Sequence, residues 1–184
     1  MEALIWAMRK KDALGEIALV ASDNQNAKGL KTAAQLGIPV FPYVPDSNIL
    51  DMKSFEKEIL HTFEANNISL ICLAGFMRIL SPQFLKLFPG KILNIHPSIL
   101  PSLKGLDTHR RALEKNLQVH GATVHEVAEK LDSGRILGQT TIRIQKDDTA
   151  ETLCARLKLK EHQLYTDTLT HFILGKSDVL QRID

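Results

Sequence analysis

The segment ISLICLAG, residues 68–75, constrains this chain more than any other. It is a continuous apolar run with no polar face, the pattern of a central parallel strand covered on both sides. A strand of that kind needs helices around it, and the flanking sequence supplies them. Residues 2–13 read as a helix with Leu4, Ile5 and Met8 on one stripe. Residues 16–22 are a strand, and 27–36 a short helix stopped by Gly37. Residues 38–44 are a strand in which Pro42 points to a sheet edge. Residues 51–66 are a helix with Phe55, Ile59, Leu60 and Phe63 at helical spacing. Beyond the central run come a short helix at 82–88, a strand at 91–96 and a helix at 107–116. Two strands, 121–129 and 136–144, are joined by the turn KLDSG. A long helix runs from Thr149 to Leu174, capped by Asp148 or Thr149, with Leu153, Leu157, Leu164, Phe172 and Ile173 inward.

The alternation predicts an α/β fold: an open, mostly parallel, doubly wound sheet with helices on both faces. An antiparallel strand pair and a long helix lie toward the C-terminal part. Ligands in such sheets bind outside the carboxyl ends of the strands, so the segments after residues 22, 44, 75 and 96 are the places to search. At 184 residues the chain is the size of one ordinary domain and needs no disulfide or metal staple. A balance of 23 basic against 21 acidic residues, a net charge of +2, gives no reason to expect a nucleic-acid partner. No apolar run approaches the ~20 residues of a membrane span, so no membrane partner is expected. Cys72 and Cys154 are not in a C-x-x-C and read as buried core thiols. With no secretory signal at the N-terminus, a reducing, cytoplasmic setting follows.

Two of the strand ends carry chemistry. GFMRILSP follows the central run, and LNIHPSILPSLKG follows the next strand. Asn94 and His96 are two residues apart, so in an extended strand their side chains share a face. An amide donor beside an imidazole can stabilise an oxyanion and move a proton, the two needs of acyl transfer. Pro97 and Pro101 stiffen the loop that follows. Asp132, in KLDSG, is either a turn former or a carboxylate that folds back to meet His96. Arg78 serves either an internal ion pair or an anionic ligand. Glu161 and Lys158 read most simply as a solvated helix face. The other histidines show no HExxH pattern, and no metal site is expected.

LAGFMRILSPQF, LNIHPSILPSLKGLDTHRRAL, HGATVHEVAEKLDSGRILGQ and KEHQLY together resemble the phosphoribosylglycinamide formyltransferases. The similarity runs from Met1 to about Phe172. The resemblance implies formyl transfer from 10-formyltetrahydrofolate to the amine of glycinamide ribonucleotide, by direct attack through a tetrahedral adduct. Asn94, His96 and Asp132 match the family's catalytic trio, Asp132 keeping His96 charged and oriented. Met77, Arg78, Ile79 and Leu80 match the segment lining the folate pocket. Asn94 also faces the folate, and Val127 opens the 127–132 loop that closes over it. Glu161 matches a contact to the ribose hydroxyls. The resemblance leaves a homodimer open. Other readings are a catalytically impaired folate-binding remnant and a related formyltetrahydrofolate hydrolase.

One departure stands out. Relatives begin with a buried strand and a Gly/Ser/Asn-rich loop that gives backbone N–H groups to the substrate phosphate. Met1 stands where their first helix begins, and none of the ten glycines forms a G-x-G. Residues 1–184 therefore read as a single formyltransferase domain, N-terminally incomplete relative to the family. The expectation is a reading frame that starts some 10–15 residues upstream, or a fragment. The absent strand would lie between those at 16–22 and 68–75.

Overall fold

The structure, a computed structural model, describes residues 1–44, 51–176 and 178–182. It is an α/β chain that divides into two units, Met1–Ile71 with Gly75–Lys91 and Cys72–Ala74 with Ile92–Asp184. The segment after residue 44, one of the four places to search, lies at 45–50, outside the described residues.

In the first unit, helix α1 (Glu2–Met8) is followed by strand β1 (Val20–Ser22) and helix α2 (Lys28–Gln35). Strand β2 (Val40–Pro42) then pairs with β1 in parallel, Val20 opposite Val40. The helix expected over 2–13 is shorter: the chain turns after Met8 through Lys10 and Lys11, which have no apolar face to bury. Gly37, at φ 72°, ends the α2 region as its sequence suggests. Ile5, Ala33 and Ile38 form a small core with Met1, Ile17, Val20, Leu36 and Val40 packed on it. Helix α3 (Met52–Ala65) is capped by Asp51, whose carboxylate accepts from the N–H groups of Lys53 and Ser54. Its Phe55 meets Tyr43 edge-on and stacks on Phe76, at centroid distances of 5.3 and 6.2 Å. Helix α4 (Pro82–Leu87) starts at Ser81, with proline at its first position.

The five-stranded sheet runs in the order β3 (Leu70–Leu73), β4 (Lys91–His96), β5 (Val119–Glu126), β6 (Ile136–Arg143), β7 (Leu180–Arg182). β4 pairs antiparallel with β5, and β5 with β6, whereas β7 runs parallel to β6. Helix α5 (Thr108–Glu114) lies between β4 and β5 in the chain, and α6 (Ala150–Ile173) follows β6. Thr149 and Thr152 close a reciprocal capping box at the start of α6. Leu153, Leu157, Leu164 and Leu169 bury the inner stripe of that helix. Gly138 of β6 has no room for a side chain, because an added Cβ would lie 2.5 Å from the Thr168 hydroxyl.

Three expectations need correction. The apolar run at 68–75 forms β3, but at the end of the strand order, with all four residues half-buried. An apolar run carries no information on a strand's rank in the sheet. Cys154 is exposed rather than buried, on α6. Cys72 is the half-buried thiol, and its surroundings push its pKa to about 11 by desolvation. Strand β7, three residues long, carried no sequence signal.

Candidate active site

Strand β4 ends at His96. Asn94 and His96, two residues apart, lie on the same face as expected. The antiparallel register sets Asn94 opposite His125 and His96 opposite Thr123. That pairing adds a histidine and a hydroxyl to the face that carries the pair. The KLDSG turn then brings Asp132 onto the same face. Its carboxylate oxygen Oδ2 is 3.5 Å from His96 Nδ1, and Oδ1 is 3.8 Å from His125 Nε2. Asp132 is both things its sequence allowed, a turn residue at φ 47° and a carboxylate against His96.

Hydrogen bonding to backbone fixes both tautomers. The ring Nδ1 of His125 is 2.8 Å from the Glu126 carbonyl, which can only accept, so Nδ1 carries a proton. Burial pushes the His125 pKa down against the raising effects of the Glu126 carbonyl and Asp132, so the ring is neutral and its Nε2 bare. That lone pair faces Asn94 Nδ2 at 3.4 Å and takes one amide hydrogen. His125 therefore fixes which way round the Asn94 amide sits. In His96, Nε2 donates to the Leu103 carbonyl at 3.0 Å, leaving Nδ1, the nitrogen toward Asp132, as the position where a proton can come and go.

The loop after β4 is held from the neighbouring strands. Thr123 donates to the Ser98 carbonyl at 2.7 Å and accepts from the Leu100 N–H at 3.0 Å. Gln139 of β6 donates to the Leu100 carbonyl and to the Thr123 hydroxyl, at 2.9 and 3.0 Å. Gly105 N–H donates to Asp132 Oδ2 at 2.9 Å, and Lys104 to the Ser133 hydroxyl.

The remaining predicted site residues are on other segments of the chain. Met77 to Leu80 form the loop between β3 and α4, in the first unit. Met77 and Ile79 are 73% and 68% exposed, whereas Leu80 is buried. Arg78 makes the internal ion pair its sequence allowed, with Asp23 at 3.2 Å. Val127 follows β5 and donates its N–H to the Ile92 carbonyl at 2.8 Å. Glu161 is half-buried on α6, where desolvation raises its pKa against the opposing charge of Lys158. Sequence reasoning passed over His125 and Thr123. Their only signal was the alternation of ATVHE in β5, which becomes meaningful once β5 is registered against β4.

An α/β fold that gathers an amide, an imidazole and a carboxylate at the carboxyl end of a strand has the groups that acyl chemistry needs, an oxyanion donor and a proton carrier. Residues 1–169 match the family described as formyl transferase. The chain is 35% identical over 176 residues to the phosphoribosylglycinamide formyltransferase of Escherichia coli, covering 96% of this chain and 82% of that protein. It is 42% identical over 175 residues to the trifunctional purine biosynthetic protein adenosine-3 of Gallus gallus, covering 92% of this chain but 17% of that longer protein. The solved phosphoribosylglycinamide formyltransferase of Brucella melitensis superposes with a TM-score of 0.87 at 42% identity, over 95% of this chain and 90% of that one. The chain belongs to the formyl transferase family, among its phosphoribosylglycinamide formyltransferases.

Proposed function

We propose that this chain transfers a formyl group from 10-formyltetrahydrofolate to the amine of glycinamide ribonucleotide, the reaction that its family membership and site chemistry support together. The carrying observation is the meeting of His96, Asp132 and the His125-oriented Asn94 at the end of β4. Asn94 keeps one amide hydrogen for the formyl oxygen as that oxygen gains charge. Asp132 stabilises a proton on His96 Nδ1, where the imidazole can take one from the attacking amine and return it. In this reading Met77 to Leu80 and Val127 receive the folate, which is bound as a substrate. Two large apolar side chains held in water at Met77 and Ile79 suit a flat ring system that covers them. Glu161 is assigned to the ribose hydroxyls on the strength of the resemblance. Reading residues 1–184 as one formyltransferase domain belongs to the same proposal.

The test is formyl transfer to glycinamide ribonucleotide, with formate release followed in parallel. His96→Ala should lower turnover by about 10²–10⁴-fold while folate binding is kept. Unchanged turnover would remove His96 from the mechanism. Formate release without transfer would make the chain a hydrolase, and folate binding without either would make it a remnant.

A further inference from the structure

The segment joining the proline loop to α5 holds an unusual backbone. Leu103, Gly105 and Asp107 have φ of 54°, 79° and 57°, so three of five residues are left-handed. Leucine adopts that conformation only under strain and keeps it where several contacts demand it. Two of those contacts on the backbone come from the site itself: His96 on the Leu103 carbonyl and Asp132 on the Gly105 N–H. The others come from Arg111 of α5. Its Nη1 donates to the Lys104 carbonyl at 2.7 Å and to the Leu106 carbonyl at 3.0 Å, one on each side of Gly105.

The Lys104 carbonyl and the Gly105 N–H belong to one planar peptide group, and in a trans peptide they point in opposite directions. The chain therefore reads Arg111 guanidinium, Lys104 C=O, Gly105 N–H, Asp132 carboxylate. A cation on the oxygen of a peptide polarises its N–H and strengthens the bond that this N–H makes to an anion.

We propose that Arg111 is a positioning residue for the centre, acting on Asp132 through the Lys104–Gly105 peptide. It fixes the plane of that peptide, sharpens the Gly105 donor and clamps the strained turn that sets the Leu103 carbonyl on His96. It touches no reacting atom. The catalytic consequence rests on the function proposed above, whereas the hydrogen-bond consequence does not.

Two readouts separate the cases. In the wild-type chain the Gly105 amide proton should resonate well downfield and be slow to exchange. Arg111→Ala should move it upfield and speed its exchange at least tenfold. It should also lower kcat about 10- to 100-fold, with the KM for the folate within about threefold. Arg111→Lys, which keeps the charge but is one bond shorter and lacks the planar guanidinium, should move the resonance part of the way. That variant carries the test if the alanine variant does not fold. Arg110→Ala, at an exposed neighbour paired with Asp107 and Glu114, should leave both readouts in place. An unmoved Gly105 resonance in a folded Arg111 variant overturns the proposal, and so does an equal shift in Arg110→Ala. A shifted resonance without formyl transfer by the wild-type chain keeps the Arg111 linkage and removes the proposed function instead.

Discussion

His120 is buried, and its Nε2 lies 3.1 Å from Nδ1 of His109 on α5, so the two rings share one hydrogen. Desolvation, with smaller contributions from His109 and His96, lowers the His120 pKa to about 4. The native ring therefore stays neutral where the unfolded imidazole, titrating near 6.5, already takes up a proton. Between pH 6.5 and about 4 the unfolded state binds more protons, so stability falls as pH falls through that window and levels off below it. The loss from this group is at most about 3 kcal/mol. His120→Asn should flatten the pH dependence of denaturant-measured stability across the window, and an unchanged slope would exclude His120 as its source. His125 titrates in the same direction and has a second role. His125→Leu removes the acceptor of the Asn94 amide and frees the amide to turn. Turnover should drop roughly tenfold or more, and stability by about 1–3 kcal/mol, in kinetics and denaturant titration of the same preparation.

Among the elements, α3 and α4 are joined by a carboxylate. Glu56 is buried on α3, and its two oxygens accept from the Ser81 N–H at 2.7 Å and the Ser81 hydroxyl at 2.5 Å. Ser81 in turn caps α4, accepting from the Phe84 N–H at 3.0 Å. The loop holding Met77 to Leu80 ends at this anchor. On the helical pattern, Glu56 reads as part of a polar face, because nothing local says that another helix will start against it. Glu56→Ala leaves the Ser81 N–H without a partner and should destabilise by about 1–3 kcal/mol. Glu56→Gln keeps an acceptor and should cost less. Equal losses for the two would mean that volume, not hydrogen bonding, is what Glu56 supplies. The cap of α6 was by contrast narrowed locally to Asp148 or Thr149, and the structure gives it to Thr149, in a reciprocal box with Thr152.

At the scale of the whole molecule, β3 stands at the end of its sheet and β1 pairs with β2 alone. Among the described residues no strand pairs with the other edge of either. β3 reads LICL, with no charge or proline to blunt that edge. What the amino-acid order determined here is local and periodic. Strand and helix alternation and a shared face for Asn94 and His96 both follow from repeats of two and 3.6 residues. The tertiary structure alone decided the rank of β3, the burial of Glu56, the pairing of His125 with Asn94 and the reach of Arg111 to the Lys104 carbonyl. Each of these joins residues far apart in the chain or in separate elements, through strand register and loop closure. No side-chain period encodes which distant partner will arrive.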